Sequence, residues 1–125
     1  MISTSEKFYQ GLKLPYQVIK IVSGALNDAA ALKMDLEAWF PGYDSYRELV
    51  SCSNCTDYQA NRLRMRYRTA EGNAAVHTLN STAVATSRAL VAIMEQNQLE
   101  DGRVAVPNCL IPLMGGKTHL EPCQW

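Results

Sequence analysis

The chain has 125 residues, 47% apolar and 19% charged, enough for one compact domain with its own core and too apolar for a disordered chain. Twelve Lys and Arg against twelve Asp and Glu cancel to zero net charge, which excludes a diffuse electrostatic footprint for nucleic acid or an anionic membrane. No stretch approaches the ~20 apolar residues of a spanning helix and residues 1–7 hold no signal-peptide core, so the chain reads as soluble.

In chain order, Ile2 to Leu12 places Phe8, Tyr9 and Leu12 on one side and predicts an amphipathic helix that Gly11 and Pro15 help to end. Tyr16 to Val22 is a β-rich run closed by Ser23-Gly24, and Asn27 is a candidate cap for a short helical turn through Ala29 to Ala31. Met34 to Phe40 and Ser45 to Ser53 read as two strands, and the short Pro41-Gly42-Tyr43-Asp44 link predicts an antiparallel hairpin. A helix through Asp57 to Asn61, capped by Thr56 or Asn54, follows. Arg62, Arg64, Arg66 and Arg68 then alternate with Leu63, Met65 and Tyr67, a period-two pattern that predicts a half-buried strand. Glu71-Gly72-Asn73 reads as a turn and Val76 to Asn80 as a strand returning beside it. Ser81 or Thr82 opens a helix to about Gln98 whose apolar character on nearly every face predicts burial against a sheet. Val104 to Val106, a short Pro-started helical piece near Leu110, and a frayed tail after Gly115-Gly116 complete the chain.

Four cysteines, Cys52, Cys55, Cys109 and Cys123, fit small thiols in a reducing compartment. Cys52-x-x-Cys55 is half of a zinc pattern without a second half at the right spacing, and His77 and His119 stand apart. Arg88 is the only ionisable residue between Thr82 and Met94, so it needs an anionic partner: a structural ion pair with Glu48 or Glu37, or a ligand phosphate or carboxylate. Glu48 and Ser51 are hard oxygen donors of the kind Mg²⁺ accepts, but three residues apart they fall on opposite strand faces unless the strand twists, bulges or ends there. Asp35 and Glu37 share a face with Trp39 and read either as a carboxylate pair for acid–base work or as a solvated strand face. The arginine stripe is either the wet side of a strand or a contact for RNA phosphate.

Three blocks, Asp35-Leu36-Glu37-Ala38-Trp39-Phe40-Pro41, Tyr46 to Ala60, and His77-Thr78-Leu79-Asn80-Ser81-Thr82-Ala83 through Arg88, resemble the C-terminal part of the catalytic domain of seryl-tRNA synthetases, a class II aminoacyl-tRNA synthetase family. The resemblance covers nearly the whole chain as one unit, residues 1–125, with a eukaryotic, cytosolic flavour in Phe8-Tyr9-Gln10. It implies an α+β fold: part of an antiparallel class II sheet with a long buried motif-three helix against it. It also implies an ATP- and Mg²⁺-dependent ligase of protein biosynthesis in the cytoplasm, with serine, ATP and tRNA(Ser) as substrates and a homodimer or partner chain. By position, Arg88 and Glu48 resemble ATP-binding residues, Glu48 and Ser51 the Mg²⁺ ligands, and Asn80 and Thr82 residues lining the serine pocket. The family's tRNA-binding arm, first motif and second motif are absent from these residues, so the isolated chain is expected not to aminoacylate tRNA. The alternative is a non-catalytic synthetase-like subunit with a structural or RNA-associated role in a larger assembly. Unpaired sheet edges left by the missing strands predict self-association or a partner.

Overall fold

The computed structural model describes residues 1–123. Helix α1 (Ile2–Leu12) ends where Lys13 takes a left-handed conformation and returns its N–H to the Gln10 carbonyl, two residues before Pro15. Strand β1 (Tyr16–Lys20) pairs antiparallel with β2 (Leu32–Phe40), and β2 with β3 (Ser45–Thr56), the hairpin turning through a 3₁₀ turn at Pro41–Tyr43. After helix α2 (Tyr58–Leu63) comes a separate two-stranded ribbon, β4 (Arg66–Thr69) and β5 (Gly72–Ala75). Strand β6 (Thr78–Ser81) then returns to β3, giving a four-stranded sheet in the order β1-β2-β3-β6, followed by helix α3 (Thr86–Gln96). A last antiparallel pair, β7 (Val104–Ala105) and β8 (His119–Leu120), flanks a 3₁₀ turn at Ile111–Met114.

The sheet has one apolar and one polar face because β2 alternates: Leu36, Ala38 and Phe40 are buried on one side, with Asp35, Glu37 and Trp39 on the other. Both long helices cover the apolar side. Tyr9 and Leu12 of α1 and Ala89 and Ala92 of α3 join Leu36, Ala38, Phe40, Leu49 and Val50 in a single core. The small alanines let α3 approach the strands closely. Glu95 of α3 also accepts the Gly42 N–H at 2.9 Å, tying the hairpin turn to the helix; a Cβ on Gly42 would sit 3.2 Å from that carboxylate oxygen.

Several local expectations are corrected. Thr82 to Ala85 are not helical, because Ser81 belongs to β6 and Thr82 still pairs with Ser51. Helix α3, expected to be long and buried, is therefore 11 residues long, buried only along Ala89 and Ala92, with Leu90, Val91 and Met94 exposed. The arginine stripe is not one strand: Arg62 lies on α2, Arg64 caps it in a left-handed conformation, and only Arg66 and Arg68 are on β4. β6 pairs with β3 rather than beside the arginine strand, whose partner is β5. Asn27 makes an Asx turn, accepting the Ala29 N–H at 3.2 Å, and no helix follows. Neither Thr56 nor Asn54 caps α2; the Asn54 side chain instead accepts the N–H of Thr56, which sits at φ 44° in a bulge. The tail after Gly116 is held by β8 rather than frayed, up to the last two residues, which lie outside the described ones.

Candidate functional site

The polar face of the sheet is built by register. Ser51 stands opposite Asp35, Glu48 opposite Glu37, and Tyr46 opposite Trp39, whose rings meet edge to face at 5.2 Å. The register slips between the Ser51 and Glu48 sides because Leu49 is an extra residue on β3, a bulge whose side chain is fully buried in the core. Without it, Glu48 and Ser51 would face opposite ways. With it, both join Asp35 and Glu37 on one face. Asn80 stands opposite Ser53 on the same face, and Thr82, two residues on, continues the pairing by donating its N–H to the Ser51 carbonyl at 3.0 Å. Two strands and the chain leaving β6 thus bring Glu48, Ser51, Asn80 and Thr82 to one surface.

Arg88, in the first turns of α3, reaches over the open edge of β3 where β6 has stopped. Its Nη1 donates to the Glu48 carbonyl at 2.9 Å and lies 3.5 Å from the Glu48 carboxylate. The guanidinium is not entombed: its side chain is 58% exposed and that of Glu48 40%. Its anionic partner is Glu48, one of the two carboxylates expected for a structural pair. A pair so exposed contributes about 0–1 kcal/mol, little enough for a stronger anion to displace.

Two hollows flank the face. One, of about 480 Å³, is lined by Glu48 and Arg88 with Phe40, Tyr43, Arg47, Ser87 and Val91; Arg47 stacks over the Tyr43 ring at 4.7 Å. Two guanidiniums against one carboxylate give its lining an excess of positive charge suited to an anion. The other, of about 400 Å³, lies between the Asn27–Ala29 loop, Tyr58 and Gln59 of α2, and Ser53, Cys55 and Asn80. There Asn80 Nδ2 donates to Cys55 Sγ at 3.5 Å. Thr82 and Ser51 line neither hollow. Nothing local in the sequence marks Arg47, Ser53 or Gln59 as lining residues, because their places are set by what folds opposite them.

For a hard cation the fit is partial. Glu48 and Ser51 supply oxygens on one face, and the buried Asp35, directly across from Ser51, leaves its Oδ1 without a hydrogen-bond partner while Oδ2 meets Lys33 at 3.6 Å. Among the described residues no cluster of three His, Cys, Asp or Glu could enclose a metal. Such a donor set suits an ion that keeps waters and shares ligands with substrate phosphates, as Mg²⁺ does. Cys52 and Cys55 are both free thiols in this fold, and the described residues offer them no zinc site. Glu37 accepts from Gln17 Nε2 at 2.8 Å and Asp35 is paired to Lys33, so these two carboxylates are held structurally rather than coupled to each other.

A family model for the tRNA synthetase class II core domain (G, H, P, S and T) matches residues 1–97. The serine--tRNA ligase of Helianthus annuus is 61% identical over 125 residues, covering 97% of this chain and 28% of that protein. The cytoplasmic serine--tRNA ligase of Arabidopsis thaliana is 60% identical over 124 residues, 96% of this chain and 27% of that protein. The crystal structure of seryl-tRNA synthetase from Pyrococcus horikoshii complexed with ATP superposes with a TM-score of 0.92 at 48% identity, covering 98% of this chain and 28% of that one. That of cytoplasmic serine-tRNA ligase from Naegleria fowleri in complex with AMP superposes at 0.86 and 56% identity, over 95% of this chain and 28% of that one. The chain therefore spans between a quarter and a third of the length of these relatives.

Proposed function

The chain belongs to the class II tRNA synthetase core-domain family, and from that premise we propose that residues 1–125 form the C-terminal portion of the catalytic domain of a cytoplasmic serine--tRNA ligase. The observation that carries this reading is the Leu49 bulge, which gathers Glu48 and Ser51 on the face that also bears Asn80 and Thr82, with Arg88 at its edge. A nucleotide and an amino acid laid side by side on one sheet face need such a grouping.

In this proposal Arg88 leaves Glu48 for the ATP phosphates, and its planar fork holds their oxygens. Glu48 and Ser51 are the residues that would hold Mg²⁺, and the ion, when bound, would supply positive charge to offset that of the phosphate oxygens. Asn80 and Thr82 line the serine site. Serine's carboxylate attacks the α-phosphate in line and pyrophosphate leaves, so this chain's contribution is to position the reactants and stabilise charge, with no covalent enzyme intermediate. The Asn80 amide, exposed in this structure, would be covered by bound serine; paired there with serine's hydroxyl it would reject alanine, which leaves it unsatisfied. The seryl group then passes to tRNA(Ser), a step for which we propose a homodimer of the whole polypeptide.

Serine-dependent ATP–pyrophosphate exchange by the whole polypeptide tests this. Glu48→Gln and Arg88→Ala are each expected to lower exchange about 100-fold or more. Exchange supported by another amino acid and not by serine would overturn the assignment. The isolated 125 residues should show no exchange, and measurable turnover from them would overturn the partial-domain placement.

A further inference from the structure

The four arginines that the sequence sets in alternation are brought by the fold to one projecting feature, the end of α2 and the β4–β5 ribbon, which lies outside the four-stranded sheet. Arg62, Arg64, Arg66 and Arg68 are all exposed. Arg62 stacks 3.3 Å over the Tyr58 ring, and Arg66 donates to the Ala60 and Met65 carbonyls and to Asn61 Oδ1. The Arg64 and Arg68 side chains make no ion pair with any described residue, while the Arg64 N–H donates to the Ala60 carbonyl and Arg68 stands in the β4–β5 ladder. The only acidic residues from the N-cap of α2 to the ribbon's end are Asp57, which accepts from Asn61, and Glu71 in the ribbon turn. A neutral chain thus concentrates a third of its Lys and Arg in seven residues. Two large side chains beside them are left in water: Leu63 at 70% and Tyr67 at 54% exposure.

We propose that this feature contacts an unpaired stretch of RNA, Arg64 and Arg68 meeting phosphates and Tyr67 stacking on a base. Unpartnered guanidiniums match phosphodiester oxygens, and an exposed aromatic ring has a use on a nucleic acid that it lacks on an acidic protein surface. The inference rests on the ligase reading only in taking RNA as the polyanion at hand. The test is fluorescence anisotropy of a labelled single-stranded RNA of ~12 nucleotides with the 125-residue chain across a salt series. Its comparison variant is Arg64→Asn with Arg68→Gln, since Asn tolerates the left-handed conformation at position 64. Circular dichroism checks that both proteins are folded.

The variant should bind about tenfold or more weakly, and the slope of log K against log salt should flatten by about 1.4, two single-strand phosphate contacts. Tyr67→Ala should weaken binding without changing that slope. Equal binding and slope for variant and parent, or no binding by either, would overturn the proposal, as would polyglutamate competing as well as unlabelled RNA, which would make the partner an acidic protein. Because these readouts need no serine or ATP, failure here is separable from failure of the exchange assay.

Discussion

The ion pair between Arg88 and Glu48 sets what those two residues can contribute. Both side chains remain open to water, so their attraction is screened and holds little of the fold together. Arg88→Ala should therefore shift stability by less than about 1 kcal/mol in urea unfolding while removing a phosphate contact, a separation that a buried structural pair would not permit. Tyr9 is the opposite case. It is fully buried, its hydroxyl has no hydrogen-bond partner, and burial pushes its pKa above the usual tyrosine value. The fold holds the neutral phenol, so this contribution to stability is complete below the unfolded value of about 10 and is lost as pH rises through the higher folded value. Tyr9→Phe should raise stability by about 1 kcal/mol at pH 7 and remove part of the loss above pH 10, both readable from thermal melts at the two pH values.

Among the elements, β3 decides the most. Its first half pairs with β2 alone and its second half with β2 and β6, and the single extra residue between them re-aims Glu48. Leu49 anchors that bulge in the core, so Leu49→Ala should cost about 2–5 kcal/mol and loosen the strand at the site. The α3 helix begins without a side-chain cap, at Ala85. Ala85→Ser should stabilise the chain by about 0.5–1 kcal/mol in denaturant melts, supplying an oxygen for the first free N–H groups. The alternation of Leu36, Ala38 and Phe40 made the apolar face of β2 legible in the sequence, as did the Pro-Gly link of the hairpin. The bulge was legible only as a requirement that Glu48 and Ser51 would impose if they acted together. The false extension of α3 back to Thr82 has a similar origin, since residues 82–85 carry helix-compatible chemistry but Thr82 is captured by backbone pairing to Ser51 and the Ala83 carbonyl by the Ser5 hydroxyl.

For the whole molecule, both outer strands of the sheet have a free edge among the described residues: β1 pairs only with β2, and β6 only with β3. Val22 beyond β1 and Leu79 on β6 are exposed beside those edges, as are Leu90, Val91 and Met94 on α3. Unpaired strand edges with nearby apolar surface favour association, so the 125-residue chain should self-associate in a concentration-dependent way by sedimentation. Leu79→Lys should reduce that association by placing a charge at the β6 edge. A chain that stays monomeric at high concentration would count against the edges as contact surfaces.

By itself the sequence determined the α+β alternation of elements, the apolar stripe of the core and the residue blocks that resemble a class II synthetase, because each is written in local periodicity or contiguous motif. The tertiary structure alone decided that Glu48 and Ser51 share a face, that Arg88 rests on Glu48, and that the arginines are divided between the end of α2 and a ribbon outside the sheet. Those outcomes depend on which strand pairs with which and in what register. Register is set by the sum of distant backbone and packing contacts, and no short stretch of chain encodes it.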